Sequence, residues 1–216
     1  MNFHFHRQGE DTQPGGMAPY IARRAQDALS IYRTNSEVYG QGEPSGSLYR
    51  VEFGCVRIGR VTADGRRQLC SFCFAGDVFG WESDDEHHFF AEAVEETGIR
   101  ILRPGRDSEA SIALFPLVLK SLRRIQEHLL VLGGTKVDER LADFLCEMAE
   151  RQGDECLVRL PMPRSDVGDY LGVSFETVSR ILRRFKERGI IRIPDTHSVE
   201  ILDMDCLHEI SGRASV

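Results

Sequence analysis

The segment from Ser165 to Arg188 constrains the fold of this chain more than any other part of the sequence. Apolar residues recur there at helical spacing on both sides of Gly172, which suits a tight turn because glycine adopts a positive φ at little cost. Ser174 is a good N-cap for a helix that starts directly after it. We therefore expect a helix from Ser165, a turn at Gly172 and a second helix over Phe175 to Arg188. The apolar residues expected between the two helices are Val167, Leu171, Val173, Val178, Ile181 and Leu182.

Short β-prone runs lie on both sides of this helix pair. One run, Cys156 to Leu160, precedes it, and two more, Ile190 to Ile193 and Val199 to Leu202, follow Gly189. A helix pair with a short turn and a small β-ribbon is the winged form of the helix-turn-helix. The sequence therefore predicts a winged helix-turn-helix domain over residues 136–216.

Three polar residues share one face near the start of the second helix. Glu176, Ser179 and Arg180 are spaced i, i+3 and i+4, and the first turns of a recognition helix are those that reach base edges in DNA. Arg180 suits guanine O6 and N7, Glu176 suits cytosine N4, and Ser179 suits a thymine methyl or a phosphate. We expect these three residues to read the bases. The residues expected to contact the DNA backbone are Arg164, Ser174, Thr177 and Arg184.

The local charge favours double-stranded DNA as the partner. The chain has a net charge of -7, so it needs a local basic surface to bind nucleic acid. Such a surface follows the second helix, where only Glu176 and Glu187 oppose the basic residues. The alternative is an ordinary solvated helix with a Glu176–Arg180 pair, which would require turn, core and polar face to coincide by accident. The basic residues are Arg180, Arg183, Arg184, Lys186, Arg188 and Arg192.

The region from about Val38 to Leu102 differs from the rest because short β-prone runs alternate with turn signals. Such strands indicate a small antiparallel barrel or roll, which we place at residues 31–107. The Asp64-Gly65 pair is the best hairpin signal. Residues 1–30 are expected to form a loose tail and a weak helix around Ile21 to Leu29. The expected strands are Leu48 to Phe53, Cys55 to Val61, Arg67 to Phe74, Phe89 to Val94 and Gly98 to Leu102.

A long helix is predicted to start near Ser108 and to end or bend at Gly133-Gly134. Its apolar seam has intervals of 4, 3, 4 and 3 residues, typical of pairing with an identical helix, although packing on the chain's own core stays the alternative. We favour a homodimer, with residues 108–135 as the dimerisation helix. The seam residues are Val118, Leu122, Ile125, Leu129 and Leu132. The next helix, Asp138 to Arg151, is expected to place in the domain core Leu141, Phe144, Leu145 and Met148.

The sequence argues against several classes of protein. No stretch approaches about 18 consecutive apolar residues, and the N-terminus lacks the pattern of a signal peptide, so we expect a soluble, cytoplasmic protein that does not bind membranes. We find no nucleophile–base spacing, no phosphate loop and no metal quartet. We therefore expect neither an enzyme with catalytic residues nor a metal site.

The cysteines and histidines are expected to be structural or incidental. The six cysteines are scattered, which favours free thiols. Cys70 and Cys73 fall on one predicted strand, where residues i and i+3 point to opposite faces, so we expect buried thiols there. His87-His88 is expected in a surface loop and His4-x-His6 in the tail, and neither pair has convergent partners for a metal.

The run from Asp169 to Arg180, DYLGVSFETVSR, resembles the signature of the Crp/Fnr family, and its Glu-x-x-Ser-Arg arrangement is that of the Fnr and FixK branch. The similarity continues through Glu139 to Leu145 and back to about residue 35. It implies an α+β fold: an N-terminal cyclic-nucleotide-binding-like β-roll, a long dimerisation helix and a C-terminal winged helix-turn-helix.

The same resemblance implies what such a protein does. It indicates a transcription regulator, most often an activator, that binds a TTGAT-N4-ATCAA-like palindrome through Glu176, Ser179 and Arg180 of each protomer. FixK-like members typically regulate genes for low-oxygen respiration, denitrification or nitrogen fixation, and many act without a bound cofactor. In Fnr-like proteins an exposed loop touches RNA polymerase, although a solvated acidic turn explains this segment equally well. The corresponding acidic residues here are Glu82, Asp84, Asp85 and Glu86.

Departures from the family pattern bear on the effector. Fnr-type members hold an iron–sulfur cluster with N-terminal cysteines and one in the β-roll, but this chain has no cysteine before Cys55 and holds Ile101 at the β-roll position. Crp-type members bind cyclic AMP through an acidic residue and an arginine, and the corresponding stretches here are Gly76-Asp77 and His88-Phe89, without the arginine. We expect no cofactor. An effector-gated β-roll or a haem-dependent nitric oxide sensor stays open as the alternative.

Overall fold

The structure is a computed structural model that describes residues 29–102, 108–134, 136–154 and 156–212. The tail and weak helix predicted for residues 1–30 lie outside the described residues, except that Leu29 already begins the first strand. His4 and His6 also lie outside them. Among the described residues, no helix combines the length and the apolar character that crossing a membrane requires. Nor does any group of three or more His, Cys, Asp or Glu residues in these ranges have an arrangement suited to a metal ion.

The N-terminal half is a β-roll, as predicted. Within the described ranges its strands form two four-stranded antiparallel sheets, with the orders β1-β8-β3-β6 and β2-β7-β4-β5. The five expected strands are confirmed to within one residue at each end, whereas β1, β2 and β6 were not predicted. The strands are β1 (Leu29–Tyr32), β2 (Glu37–Tyr39), β3 (Leu48–Phe53), β4 (Cys55–Val61), β5 (Arg67–Phe74), β6 (Val78–Phe79), β7 (Phe90–Ala93) and β8 (Thr97–Leu102).

The β4–β5 hairpin turns at the predicted Asp64-Gly65 pair. Gly65 has a φ of +79°, in the region that favours glycine. Thr62 N donates to Arg66 O at 2.9 Å and closes the turn. Inside the roll, the two sheets share a buried core of Tyr39, Val51, Val56, Cys73, Phe79, Ala91 and Ile99.

The C-terminal half is mostly helical and includes the predicted wing. The β-ribbon has the strand order β10-β11-β9. A last helix, α5, was not predicted; it follows an Asp203 N-cap and buries Leu207 completely. The elements are α1 (Ser108–Gly134), α2 (Val137–Gln152), β9 (Leu157–Arg159), α3 (Arg164–Leu171), α4 (Phe175–Glu187), β10 (Ile191–Asp195), β11 (Ser198–Ile201) and α5 (Met204–Ser211).

The two helices between the halves bury very different amounts of apolar surface. On α2, the predicted core residues Leu141, Phe144, Leu145 and Met148 are at most 1% exposed. On α1, the predicted seam is partly uncovered in the single chain: Leu122 and Ile125 are 48% exposed, and Leu129 is 61% exposed. Val118 and Leu132 are half-buried. A stripe of this kind on a long helix is a surface that a partner helix would cover.

Gly168 on α3 has no room for a side chain, which leads to a stability prediction. A Cβ at this position would lie 2.7 Å from Val173 O and 3.3 Å from Phe175 N. Gly168→Ala would therefore push the turn away from α3, at an expected cost of about 1–3 kcal/mol in the free energy of unfolding. Denaturant unfolding followed by circular dichroism measures this cost. Gly133→Ala is the matched control, because nothing lies within 4 Å of its added methyl; equal losses in both variants would contradict the prediction.

A β-bulge at Cys70 interrupts the regular alternation along β5, on which the expectation for Cys70 and Cys73 was based. The β4–β5 register shifts between Ile58 and Gly59, and Cys70 is left without a partner across the sheet. Its Sγ contacts Ile58 O at 3.4 Å. Cys73 is buried, as expected, whereas Cys70 is only half-buried, so the expectation of a buried thiol was wrong at that position.

Thiol reactivity should follow this burial. Desolvation raises the pKa of Cys70 to about 11 and that of Cys73 to about 12, so neither forms much reactive thiolate near pH 8. Cys156 is exposed. We expect Cys156→Ser to remove the fastest phase of modification by a chromogenic disulfide reagent in native protein. A fast phase that persists in Cys156→Ser and disappears in Cys73→Ser would contradict this assignment.

Candidate nucleic-acid interface

The turn between α3 and α4 has the geometry that the sequence predicted. Gly172 has a φ of +68°, and the next residue, Val173, donates from its N–H to Gly168 O at 2.9 Å. Ser174 is extended, and its Oγ accepts a hydrogen bond from Thr177 N at 3.3 Å. The α4 N-terminus is therefore capped, and the glycine turn fixes its direction relative to α3.

A small apolar core holds the two helices together. Val167 and Leu171 of α3 and Val178, Ile181 and Leu182 of α4 are at most 4% exposed, as predicted. The preceding helix adds a polar contact, because Arg140 Nη1 donates to Leu171 O at 3.1 Å. This carbonyl lies at the end of α3, so α2 supports the turn directly.

The predicted base-reading residues lie on the outer face of α4. Glu176 and Arg180 are exposed, and Ser179 is half-buried between them. Ser179 Oγ accepts from Arg164 Nη1 at 3.3 Å, so the first residue of α3 reaches the same surface. One apolar residue of this surface was not singled out from the sequence: Phe175, at the first position of α4, is 54% exposed.

The residues predicted to contact the DNA backbone surround this face. Ser174 and Thr177 lie at the capped end of α4 with their hydroxyl oxygens 3.3 Å apart. Arg184 forms an ion pair with Asp138 at the start of α2, so it is tied to the protein rather than fully available to phosphate. Further along, Arg183, Lys186 and Arg188 are exposed. The outer face of α4 is thus basic although the chain as a whole is acidic.

The acidic loop after β6 folds back on itself. Glu82 has only 8% of its side chain exposed, and Glu82 Oε1 accepts from His88 N at 3.2 Å. His87 is buried and stacks on Tyr39 with ring centroids 3.7 Å apart, so its prediction as a surface-loop residue was wrong. Asp84, Asp85 and Glu86 are exposed. The acidic surface of this loop therefore consists of these three residues and not of Glu82.

Asp77, which the sequence resemblance matches to the ligand-binding acid of Crp-type members, is engaged by the protein's own side chains. Its Oδ1 accepts from Arg124 Nη1 of α1 at 2.6 Å, and its Oδ2 accepts from Arg151 Nη2 of α2 at 2.5 Å. Phe74 N also donates to Oδ2 at 3.0 Å. Both carboxylate oxygens are occupied, and Asp77 links the roll to the two helices that follow it.

Comparison with known proteins agrees with this architecture. The Crp-like helix-turn-helix domain model matches residues 139–210, and the cyclic nucleotide-binding domain model matches residues 30–106. The nitrogen fixation regulation protein FixK of Rhizobium meliloti is 41% identical over 195 residues, covering 90% of this chain and 91% of that protein. FixK of Azorhizobium caulinodans is 38% identical, covering 85% and 79%.

Solved structures show the same relationship. FixK2 from Bradyrhizobium japonicum superposes with a TM-score of 0.80 at 35% identity, covering 88% of this chain and 98% of that one. A transcriptional regulator of the CRP family from Thermus thermophilus gives a TM-score of 0.74 at 27% identity, covering 86% and 97%. The predicted fold class is therefore confirmed, and this chain belongs to the Crp/Fnr family of transcription regulators, in its FixK-like branch.

Proposed function

We propose that this regulator acts as a homodimer on a two-fold palindrome of the TTGAT-N4-ATCAA type and activates transcription. The exposed Glu176, Ser179 and Arg180 face on a capped helix carries the proposal. This face offers an acceptor for cytosine and a forked donor for guanine next to each other, which is the chemistry that a G·C pair presents in the major groove. A palindrome is required because two identical helices meet DNA about one helical turn apart.

The uncovered stripe of α1 supports the dimer. Leu122, Ile125 and Leu129 expose about half or more of their surface in the single chain, and they recur at coiled-coil spacing. Pairing two copies of α1 along this stripe would bury it and place two recognition helices around a two-fold axis.

Cofactor-free action is part of the proposal. The carboxylate of Asp77 is neutralised by Arg124 and Arg151, so a cyclic nucleotide would have to break two charge-assisted hydrogen bonds to use it. We therefore expect no heat of binding for cyclic AMP at concentrations that saturate Crp-type sensors. An absorption band of haem near 400 nm in the purified protein would instead favour the effector-gated alternative.

The proposal also includes RNA polymerase as a partner and a class of target genes. Asp84, Asp85 and Glu86 form an exposed acidic surface on the roll, and we assign to it a contact with RNA polymerase. Both FixK relatives described above carry nitrogen fixation regulation in their names. For this chain we accordingly propose genes of nitrogen fixation, denitrification or low-oxygen respiration as targets.

Titration of aerobically purified, cofactor-free protein tests the proposed function. Three duplexes are compared at one fixed salt concentration, because affinity for DNA depends steeply on salt: the palindrome, a single half-site and a scrambled sequence. We expect two protomers per palindrome and much weaker binding to the other two duplexes. Equal affinity for all three would overturn the proposal.

A further inference from the structure

The first helix of the helix-turn-helix is held by charged side chains of the β-roll. Asp166 of α3 is 1% exposed, and its Oδ2 accepts from Arg57 Nη1 of β4 at 2.7 Å. Its Oδ1 forms an ion pair with Arg67 Nη2 of β5. Asp169, one helical turn later, accepts from Arg67 Nε at 3.0 Å. We name these four residues, Arg57, Arg67, Asp166 and Asp169, the clamp.

Arg57 is itself fixed by the roll. Its Nε donates to Glu92 Oε2 of β7 at 2.8 Å, and its Nη2 donates to Asn35 Oδ1 at 3.1 Å. Asn35 adopts a positive φ of 60° in the turn before β2. Because Arg57 is only 8% exposed and bonded on three sides, its guanidinium has little freedom to follow a movement of α3.

Aromatic contacts lie beside the clamp and extend to α1. Tyr170 of α3 packs on Phe72 of β5 with ring centroids 5.2 Å apart. Tyr170 also stacks on His128 of α1, with ring centroids 3.8 Å apart and an interplanar angle of 11°. Helix α3 is therefore in contact with the roll and with the helix predicted to form the dimer axis.

These contacts have a geometric consequence for the recognition helix. A buried ion pair adds little net stability because desolvation offsets its attraction, but its directional bonds specify one orientation. Helix α4 is joined to α3 through the tight turn at Gly172, so a rotation of α3 against the roll would carry α4 with it. In a dimer, such a rotation would change the distance between the two recognition helices.

We propose that the clamp residues are positioning residues that set the angle of the helix-turn-helix to the dimer axis and thereby select the spacing between half-sites. This inference rests on the proposed function, a homodimer on a palindrome. The clamp touches neither bases nor phosphates in this assignment. Its effect is on which spacer length is bound, whereas Glu176, Ser179 and Arg180 determine which bases are read.

Arg67→Gln tests the inference, because it removes both contacts of Arg67 while Asp166 keeps Arg57. The half-sites stay constant and the spacer is shortened or lengthened by one and by two base pairs. Wild type is expected to prefer the four-base-pair spacer. In Arg67→Gln we expect this preference to be about five- to tenfold weaker, which is the lower part of the range for coupling between separated sites. When the half-site guanine is replaced, Arg67→Gln should lose as much affinity for DNA as wild type does. Arg67→Lys should keep part of the spacing preference that Arg67→Gln loses.

Arg66→Gln is the matched control. This variant makes the same change of charge at the neighbouring residue. Arg66 pairs with Asp64 in the hairpin turn, and the Arg66 side chain is 76% exposed. This variant should keep the spacing preference of wild type. If Arg67→Gln does not fold, Asp169→Asn can replace it in the spacing experiment. Asp169→Asn removes only the carboxylate of Asp169 that Arg67 contacts, and the Asp169 side chain is 33% exposed.

The outcomes separate the inference from the proposed function. A uniform loss of affinity across all spacers, or lower thermal stability with an unchanged spacing preference, would overturn the inference and leave the palindrome assignment intact. Failure of wild type to prefer two half-sites over one would overturn both. A flatter spacing profile with intact base discrimination is the result that supports the clamp.

Discussion

Replacing Arg180 with alanine is expected to remove most of the preference for the palindrome over a scrambled duplex. A bidentate arginine–guanine pair contributes about 1–3 kcal/mol of discrimination, so a dimer with two such pairs should lose about 2–6 kcal/mol of specific binding free energy. Binding to the scrambled duplex should change little, because it depends on phosphate charge. The side chain of Arg180 is exposed, so the variant should fold normally. Fluorescence anisotropy with both duplexes measures the difference.

Arg183→Ala is the control for charge alone. Arg183 is also an exposed arginine of α4, and its loss should weaken binding to both duplexes alike and reduce the salt dependence. If Arg183→Ala lost as much discrimination as Arg180→Ala, the assignment of base reading to Arg180 would be wrong.

Replacing Asp77 with alanine should have the largest effect on stability. The variant would leave the guanidinium groups of Arg124 and Arg151 without the carboxylate they share. Removal of one partner from a buried ion pair typically costs about 3–5 kcal/mol. For Asp77→Ala we expect a smaller loss in the free energy of unfolding, about 2–4 kcal/mol. Arg124 is 28% exposed and can be solvated, and Arg151 keeps its contacts with Glu147 at 3.2 Å and with the Phe74 ring at 4.6 Å.

Urea unfolding at constant pH measures this loss as a shift of the midpoint. Asp85→Ala provides the comparison, since Asp85 is an exposed residue of the acidic loop. It should change the free energy of unfolding by no more than about 0.5 kcal/mol. Equal midpoints for the two variants would contradict the stabilising role predicted for the contacts of Asp77 with Arg124 and Arg151.

The helix-turn-helix could be predicted from the sequence because its determinants are local. Gly172 and Ser174 act within a few residues of their own positions, and the alternation of apolar residues along α3 and α4 indicates the buried face directly. The β4–β5 hairpin was predictable for the same reason, since the Asp64-Gly65 turn joins two strands adjacent in sequence. That Glu176, Ser179 and Arg180 share one outer face of α4 follows from helical spacing alone.

Several features could not be predicted because they depend on residues distant in sequence. The Arg57–Asp166 pair joins positions 109 residues apart, and no periodicity marks either residue as a partner. Asp77 likewise meets Arg124 and Arg151 only in the folded chain. His87 lies in a polar segment, yet it is buried because Tyr39 provides a ring for it to stack on.

Other differences arose where the elements are short or irregular. Strands β2 and β6 contain three and two residues, too few to show an alternating pattern. The bulge at Cys70 shifts the register between β4 and β5, and no residue in the sequence marks its position. Helix α5 spans only eight residues and has a single completely buried position, Leu207, so its apolar pattern is weak.

The most direct test of base reading changes one atom in each half-site of the DNA. Each half-site guanine of the palindrome is replaced by 7-deazaguanine, which lacks the N7 acceptor but keeps O6 and the base pair. If Arg180 recognises this guanine, wild type should bind the substituted palindrome with roughly tenfold lower affinity. The same substitution outside the half-sites should have no effect. Arg180→Ala should bind the substituted and the unsubstituted palindrome equally. Equal binding of wild type to the two duplexes, or an equal loss in Arg180→Ala, would contradict the assignment of guanine recognition to Arg180.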